Sequence, residues 1–564
     1  MTYKTILLPQ SDFEDEKNVT IITKNISDLP KSDTEHFSLP EIPNVVINRI
    51  SYGMFRFSSY QTFFLLSTEI KTPEGDIIYT LTPELNQTTY LQRKLLGEGT
   101  YGKVYFYPSE NIVLKRSFNS IDTYFGVPHD FVKELGIYNL LQNSACSPLL
   151  FDFILDPMPK LILEKGETTL YQIYKALSPE QSKQIIFNIA KCMKTISELN
   201  IIHGDLKPDN ILVYPSRNNE VKIIDWGIAQ LEYRENPRKK SPKVQAVQYA
   251  SPEIFLGVNY TYKIDIFSLG LVFLRMILQD FVLSENTAES QGRLYLKILL
   301  NIPDTELDRQ GLAMRREFSS LEAKSNLIAK NIVEEYKISD EAFVDLISKM
   351  LEFNPHQRIS YTDILAHRFF SSFPISPTEV ISPPRMPVQT ISNLLQDRQV
   401  NQRMRQILFD WLKDVAEEFK HSLNTLCLTF QLVDLFTHVQ DFPYQEYQLV
   451  GIAAYSIAQK MFESADMHLD LDQLKTVTEN SFSNMNICYI EQKIIFKLKG
   501  NILMPTLFSV IEKQLDYISD TKVNTEELVT AYLYDDVYTR DFETYLDEYG
   551  LENFVDKKKH KDNK

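Results

Sequence analysis

Four short motifs follow one another between residues 96 and 227, and their order constrains the fold of this chain more than any other feature. A glycine-rich stretch, LGEGTYGKVY, occupies residues 96–105, and a lysine follows it in NIVLKR. The segment HGDLKPDN comes next at 203–210, and IDWG follows at 224–227. Strand-like apolar runs surround the first two motifs, whereas helical periodicity dominates from about residue 178 to residue 370. We therefore expect an α+β fold in which a β-rich part precedes a helical part.

The glycine-rich stretch has the spacing of a loop that covers phosphates. The pattern G-x-G-x-x-G taken alone is also typical of dinucleotide-binding turns. Such a turn opens a helix, whereas this stretch is followed by a second strand that carries Lys115. The sequence therefore predicts a nucleotide-covering flap. Its candidate nucleotide-binding residues are Leu96, Gly97, Gly99, Gly102, Val104, Val113 and Lys115.

Four charged side chains in and near these motifs suit phosphoryl transfer. Lys115 can neutralise the α- and β-phosphates if a carboxylate holds it forward, and Glu134 in VPHDFVKELGIYNLL is the helical candidate. Asp205 can accept the proton of a substrate hydroxyl, and Lys207 can steady the transferring phosphoryl group. These four residues are the candidate catalytic set.

Two further polar residues are candidates for holding Mg²⁺. Asn210 ends HGDLKPDN, and Asp225 stands directly before Trp226 and Gly227. Carboxylate and amide oxygens are the ligands that Mg²⁺ prefers. Four independent motifs in the order that phosphoryl transfer requires leave little room for coincidence.

Over about residues 88–370 the chain resembles protein kinases and, within them, cyclin-dependent kinases. Besides the four motifs, the resemblance is carried by VPHDFVKEL, IDIFSLGLVF, LNIPDTE and DLISKMLEFNPHQRIS. It implies a bilobal kinase fold, ATP and Mg²⁺ as cofactors, and phosphorylation of serine or threonine residues in protein substrates. It also implies that the adenine lies against a hinge near Glu164, Lys165 and Gly166.

The resemblance extends to the activation segment, with departures. Glu253 is implied to pair with Arg358, and Ser241 occupies the position of the family's phosphosite. Ala246 stands where a threonine commonly orients the catalytic loop. Ala250 stands where an arginine supports proline-directed recognition, which leaves the Ser/Thr-Pro preference open.

Relatives stabilise a phosphorylated activation loop with three arginines, because a dianionic phosphate gains most from charge-assisted hydrogen bonds. At those three places this chain has Gly204, Lys133 and Gln230. We therefore hypothesise that phosphorylation of Ser241 is unnecessary. The loop cations in YRENPRKKSPK either select acidic substrates or belong to a solvated loop.

A second domain follows a proline-rich segment. SSFPISPTEVISPPRMPVQTISN contains five prolines, which forbid a helix and indicate a linker. Helix-length amphipathic segments then include MRQILFDWLKDVAEEF, QLVGIAAYSIAQKMFE and CYIEQKIIFKL. This part resembles a cyclin box over about residues 391–515, and too few residues remain for a complete second box.

The cyclin resemblance implies two sets of contact residues. Lys460 and Glu491 match the charged pair with which cyclins hold the kinase helix, and Val132 is the apolar residue of that helix suited to burial against the cyclin face. The residues that match the cyclin patch for substrates bearing Arg-x-Leu motifs are Met404, Ile407, Leu408, Trp411 and Gln448.

These patterns divide the chain into six segments. They are an acidic segment without a fixed fold at 1–44, a β extension at 45–87, the kinase domain at 88–370, a linker at 371–390, the cyclin box domain at 391–515 and a C-terminal helical remnant with a basic tail at 516–564.

Composition limits the partners. A formal charge of -16 argues against a nucleic-acid grip, which needs basic surface. We expect neither a signal peptide nor a membrane-spanning segment, and four scattered cysteines favour a reduced, intracellular protein, cytoplasmic or nuclear.

The resulting hypothesis is an ATP- and Mg²⁺-dependent protein Ser/Thr kinase that its own cyclin-like domain activates in cis. Two alternatives stay open: a pseudokinase scaffold, and a cyclin-like activator that recruits another kinase. Docking in trans, as a dimer, is a further alternative to docking in cis.

Overall fold

The computed structural model describes residues 2–8, 20–25, 46–57, 61–71, 77–81, 94–99, 102–108, 111–142, 144–155, 158–231, 246–256, 260–279, 338–373 and 399–504. By its internal contacts the chain divides into two compact units. The first comprises residues 1–131 and 149–165, and the second comprises residues 132–148 and 166–564.

The first unit is built on one ten-stranded sheet in which the described strand pairs are antiparallel. Its strands are β1 (Thr2–Leu8), β2 (Thr20–Asn25), β3 (Val46–Phe57), β4 (Gln61–Lys71), β5 (Ile77–Leu81), β6 (Lys94–Glu98), β7 (Gly102–Tyr107), β8 (Ile112–Ser117), β9 (Leu150–Ile154) and β10 (Lys160–Glu164). Their order in the sheet is β2-β1-β5-β4-β3-β9-β10-β8-β7-β6.

The N-terminal strands differ from the sequence expectation. Strands β1 and β2 lie within residues 1–44, for which we expected no fixed fold. Both segments, TYKTILL and TIITKN, contain β-branched residues, and β1 pairs with β2 on one side and with β5 on the other. Strand β3 pairs with β9, so the strands of the extension at 45–87 continue the same sheet.

The second unit contains twelve described helices, counting the one that begins in the first unit. They are α1 (His129–Leu140), α2 (Leu170–Ile173), α3 (Pro179–Glu198), α4 (Pro252–Leu256), α5 (Lys263–Leu278), α6 (Glu341–Met350), α7 (Tyr361–Leu365), α8 (Gln402–Phe419), α9 (Leu423–Val439), α10 (Tyr447–Phe462), α11 (Leu471–Val477) and α12 (Asn484–Lys497).

Short strands in the second unit position the polar loops. Strands β11 (Thr168–Thr169), β13 (Ile211–Tyr214) and β14 (Glu220–Ile223) form one small sheet in the order β11-β13-β14. Strands β12 (Ile201–Ile202) and β15 (Gln230–Leu231) form a two-stranded antiparallel pair.

Helix α5 is the buried centre of the part between residues 166 and 373. All of its residues from Ile264 to Leu274 are buried, as expected for a helix that is apolar on every side. Helix α3 is amphipathic and begins at a capping box in which Ser178 accepts a hydrogen bond from the backbone of Gln181.

Residues 399–504 form helices without a strand, as the sequence predicted for this part. Helix α10 lies at the centre of this helical domain, and every one of its residues except Gln448 is buried. The rings of Phe409 and Phe430 stack with centroids 3.7 Å apart, which packs α8 on α9. Arg405 and Asp434 add a buried ion pair between the same helices. The expected α+β fold class with a helical domain at the end is confirmed.

Candidate active site

A buried carboxylate holds the loop HGDLKPDN in place. Asp265 of helix α5 accepts hydrogen bonds from the backbone nitrogens of His203 and Gly204, at 2.7 and 3.0 Å. Gly204 has a φ of 75°, in the left-handed region, where a residue with a Cβ is strained. The glycine that stands in place of an arginine therefore adopts this conformation without strain.

Three groups converge on the carboxylate of Asp205. The ammonium of Lys207 donates to Oδ2 at 2.6 Å, and the side-chain amide of Asn210 donates to Oδ2 at 3.1 Å and to the backbone oxygen at 2.9 Å. The backbone nitrogen of Ala246 donates to Oδ1 at 3.1 Å. The carboxylate is thus held in one orientation beside a cation, which suits a group that accepts a proton from a positioned hydroxyl.

The contact of Ala246 with Asp205 was missed by the sequence analysis. We noted that Ala246 lacks the hydroxyl of a threonine, yet its backbone nitrogen reaches the carboxylate. A backbone bond of this kind does not depend on the side chain, so no residue pattern could have indicated it.

A buried histidine links the two polar motifs. His203 Nδ1 accepts a hydrogen bond from the backbone nitrogen of Asp205 at 3.1 Å, and its Nε2 donates to the backbone oxygen of Ile224 at 3.0 Å. Burial lowers the pKa of His203, which keeps the ring neutral. Its ring also packs on that of Trp226, with centroids 4.8 Å apart. The next motif is therefore fixed against the first.

The two candidate metal ligands lie on these two motifs. Asn210 is buried and uses its amide nitrogen on Asp205, so that its amide oxygen is not occupied by that contact. Asp225 has a φ of 72°, an uncommon conformation for a residue with a side chain. Such backbone strain is concentrated at functional sites.

The structure brings Glu253 and Arg358 together. Arg358 Nη1 and Nη2 donate to the two carboxylate oxygens of Glu253 at 2.7 and 3.1 Å, and both side chains are fully buried. Arg358 also donates to the backbone oxygens of Lys263 and Glu352. This bidentate pair anchors helix α4, which follows the activation segment, to the larger helical body. Ser241 lies outside the described residues.

The candidate nucleotide-binding residues of the first unit lie on adjacent strands. Gly99 donates its backbone nitrogen to the oxygen of Gly102 at 2.9 Å, which closes the turn between β6 and β7. Val104 lies opposite Lys115 in the register of β7 and β8. The positions are Leu96 and Gly97 in β6, Gly102 and Val104 in β7, Val113 and Lys115 in β8, and Glu164 at the end of β10.

The hinge candidates are divided between the units. In the first unit, Glu164 Oε2 accepts a hydrogen bond of 3.1 Å from the backbone nitrogen of Leu149. Gly166 belongs to the second unit, where it approaches the side chain of Leu212. The pairing of Lys115 with Glu134 stays a prediction.

Helix α1, which carries Glu134, contacts the helical domain at two points. A Cβ on Gly136 would overlap the end of Met461 and lie 3.0 Å from the Cβ of Leu503. The side-chain amide of Asn139 donates to the backbone oxygen of Gly500 at 2.8 Å. The helix therefore approaches the helical domain closely at Gly136, and Val132 of the same helix is fully buried.

These contact residues were not predicted from the sequence. The two predicted residues, Lys460 and Glu491, form a buried ion pair with each other, and Glu491 also accepts a hydrogen bond from the hydroxyl of Ser456 at 3.1 Å. A glycine within a helix is costly and indicates a close approach, so Gly136 was the one available signal.

The candidate docking patch lies on the face of α8 and at Gln448. Ile407 has 60% of its surface exposed, whereas Leu408 is buried against Gly451 of α10. Met404, Trp411 and Gln448 are half-buried. The candidate docking patch thus combines an exposed aliphatic side chain, Ile407, with a buried one, Leu408.

Comparison with known families agrees with this geometry. Residues 90–370 match the protein kinase domain, and residues 384–503 match the cyclin N-terminal domain. The chain contains a protein kinase domain followed by a cyclin domain. Below, the two parts are the kinase domain and the cyclin domain.

The kinase domain is similar to cyclin-dependent kinases. The chain is 29% identical over 349 residues to the probable cyclin-dependent kinase 8 of Dictyostelium discoideum. The aligned region covers 55% of this chain and 90% of that protein. It is 26% identical over 301 residues to cyclin-dependent kinase B2-1 of Arabidopsis thaliana, covering 50% and 92%, and 27% identical over 306 residues to cyclin-dependent kinase D-1 of the same plant, covering 52% and 74%.

These similarities support a protein serine/threonine kinase domain that is similar to cyclin-dependent kinases, and the protein kinase family uses ATP and typically Mg²⁺. In the part of the chain that the structure describes, no helix is both long and apolar enough to span a membrane.

Proposed function

We propose that this chain is an ATP-dependent protein serine/threonine kinase that its own cyclin domain activates in cis, without phosphorylation of the activation loop. The observation that carries the proposal is the contact of helix α1 with the cyclin domain. The Asn139–Gly500 hydrogen bond and the close approach of Gly136 to Met461 and Leu503 join the two domains within one chain.

The contact has a direct bearing on activation. In free cyclin-dependent kinases, the helix whose glutamate pairs with the phosphate-binding lysine swings outward. Cyclin binds the inward position of this helix with higher affinity and thereby favours it. Helix α1 carries Glu134, and its Val132 and Leu135 are fully buried. A cyclin domain that holds this helix favours the state in which Glu134 supports the phosphate-binding lysine.

Covalent attachment makes the contact efficient. A linker of about 20 residues has a root-mean-square reach of roughly 25 Å and a limit of roughly 65 Å. Such a tether gives an effective concentration of order mM, so that an interface with micromolar affinity is mostly closed. The enzyme is then assembled without a soluble cyclin.

The residues around the activation segment favour independence from phosphate. Two of the three positions where relatives have arginines are neutral, Gly204 and Gln230. The third, Lys133, is buried. A phosphate gains most from bidentate guanidinium partners, and these three positions supply none.

The residues of the catalytic loop suit the chemistry. Asp205 accepts the proton of the substrate hydroxyl, and Lys207, which contacts the same carboxylate, steadies the transferring phosphoryl group. Positioning and electrostatic stabilisation provide most of the catalysis in such enzymes.

Asn210 and Asp225 fit a Mg²⁺ site. Both offer oxygen atoms of the kind that Mg²⁺ prefers, and the contacts of Asn210 with Asp205 use its nitrogen. Bound Mg²⁺ would neutralise charge on the nucleotide phosphates.

The substrates proposed for the cyclin domain bear Arg-x-Leu motifs. Exposed Ile407 and half-buried Trp411 give this surface an apolar centre, and an exposed carboxylate, Asp414, lies one turn beyond it. An apolar surface next to a negative charge fits a peptide with one leucine and one arginine.

Activity of the unphosphorylated chain tests the proposal. The full chain is produced in bacteria with a phosphatase, and its activity per molecule is compared with that of Ser241→Ala over a range of enzyme concentrations. We expect equal activities that do not change with concentration, and light scattering is expected to show a monomer. Loss of activity in Ser241→Ala would refute phosphate independence, and activity that rises with concentration would indicate docking in trans.

A further inference from the structure

The start of the activation segment is tied directly to the catalytic loop. Strand β15 pairs with β12, so that Gln230 lies opposite Ile202. Ile202 is followed at once by His203, Gly204 and Asp205. A shift of β15 would therefore move the backbone that carries the catalytic carboxylate.

A side-chain hydrogen bond fixes the position of this strand. The hydroxyl of Tyr260 donates to Oε1 of Gln230 at 2.8 Å, and both side chains are buried. The ring of Tyr260 packs in one cluster with Ile202 and Ile264. A buried amide oxygen without a partner is costly, so the bond favours one position of Gln230.

The same strand lies beside the cyclin domain. Residues of β15 have Cα atoms within 8 Å of residues in helix α10, and both elements belong to the second unit. Leu231 is buried as well. The strand therefore lies between the catalytic loop and the central helix of the cyclin domain.

We propose that Gln230 and Tyr260 form a neutral latch that positions the activation segment against the catalytic loop, in place of the contact between a phosphate and arginines. They are positioning residues, since they act on Asp205 through Ile202 and β12. The inference rests on the proposed function for its claim that no phosphate is needed.

The latch has a specific chemical requirement. It needs a hydroxyl donor at 260 and a carbonyl acceptor at 230, and it carries no charge. Its strength therefore changes little with ionic strength, because salt screens interactions between charges. A phosphate-based clamp is formed by charges and is weakened by salt to the extent that it is exposed to solvent.

The first experiment removes only the hydroxyl. Tyr260→Phe is compared with Tyr361→Phe, because the buried hydroxyl of Tyr361 has no hydrogen-bond partner among the described residues. With the full chain and rates per titrated active site, we expect Tyr260→Phe to lower kcat about fivefold while KM for ATP changes little, as for the loss of one buried hydrogen bond. Tyr361→Phe is expected to leave kcat unchanged. Equal kcat values for the two variants would overturn the proposal.

The second experiment tests whether the two side chains act as one unit. Gln230→Met removes the acceptor and keeps a side chain of similar length. If the residues act through their shared bond, the double variant Gln230→Met/Tyr260→Phe is no slower than the slower single variant. If the two losses multiply, each residue acts separately and the latch is refuted. If Tyr260→Phe is too unstable to purify, Gln230→Met by itself removes the bond, and an unchanged kcat in that variant would overturn the proposal.

Failure of the latch and failure of the proposed function give different results. The Tyr260→Phe comparison is repeated in the Ser241→Ala background. If Ser241→Ala is inactive by itself, phosphate independence fails, and the latch is judged from the chain with Ser241. If Ser241→Ala is active and Tyr260→Phe has no effect in it, only the latch fails.

Discussion

The side-chain amide of Asn139 donates a hydrogen bond of 2.8 Å to the backbone oxygen of Gly500, a residue 361 positions further along the chain. Asn139 lies on the helix that carries Glu134, and Gly500 lies just beyond the last described helix of the cyclin domain. One chain thus contains both sides of a contact between a kinase domain and a cyclin domain.

Substitution of Gly136 by alanine is expected to lower activity. Helix propensity alone favours alanine by about 1 kcal/mol, so an isolated helix α1 would become more stable. The added Cβ, however, would overlap Met461 and crowd Leu503. Overpacking of this kind costs about 1–3 kcal/mol, and we expect kcat/KM to fall about tenfold. A rise in activity, as propensity predicts, would show that the close approach is unimportant.

Replacement of Asp205 by asparagine is expected to remove phosphoryl transfer without unfolding the chain. Asparagine keeps the shape of the side chain but is a far weaker proton acceptor, so we expect kcat to fall by about 10²- to 10⁴-fold. Binding of a fluorescent ATP analogue is expected to persist. Asp209→Asn is the matched control, because Asp209 is an exposed carboxylate in the same loop. A similar loss in both variants would argue against Asp205 as the proton acceptor.

Truncation of Ile407 is expected to affect only substrates with an Arg-x-Leu motif. Because 60% of this side chain is exposed, Ile407→Ala leaves the domain folded. We expect KM for a substrate with the motif to rise about fivefold, as for the loss of one apolar contact, while a substrate without it is unaffected. The control is Val439→Ala, an aliphatic residue with 47% exposure at the end of α9. If both substrates change equally, the surface is not a docking patch.

Acid is expected to destabilise the cyclin domain through His421. Burial lowers the pKa of His421, whose ring contacts the hydroxyl of Tyr455 and the backbone oxygen of Met467. In the unfolded chain the group titrates near its ordinary value of about 6.5. The neutral ring therefore contributes its whole stabilisation above about pH 6.5. This contribution is lost as the pH falls from about 6.5 through the lower pKa of His421 in the folded protein.

Thermal unfolding of the full chain at pH 7.5 and 5.5 measures this effect. The melting temperature is expected to be lower at pH 5.5 than at pH 7.5. The difference is expected to be smaller in His421→Gln, because glutamine cannot be protonated at these pH values. An equal fall in both proteins would assign the acid sensitivity to other residues, such as buried His203, whose pKa is lowered in the same way.

The chemistry-bearing residues were accessible from the sequence because their motifs are local. Asp205, Lys207 and Asn210 lie within six positions, and the structure brings them into hydrogen-bond contact. The helical domain was equally predictable, since the segments that form α8 and α10 are of helix length and carry apolar residues at helical spacing.

The contacts between distant segments were not accessible in this way. The bond from Asn139 to Gly500 and the bond from Ala246 to Asp205 each end on a backbone group, which every residue offers. The hydroxyl of Tyr260 likewise finds Gln230 only after the chain has folded. Strands β1 and β2 are held by hydrogen bonds to partner strands that are distant in the sequence or follow a polar segment. The polar sequence around them therefore did not indicate a strand.

The central claim is that the attached cyclin domain holds the kinase domain in its active state. A specific protease site is placed within residues 374–390, the folded chain is cleaved, and the cyclin fragment is removed by an affinity tag. The kinase fragment is predicted to lose at least about nine-tenths of kcat/KM, as expected for a coupling of a few kcal/mol, and to recover it when the cyclin fragment is added back. A kinase fragment that keeps the activity of the intact chain after the cyclin domain has been removed would contradict the account.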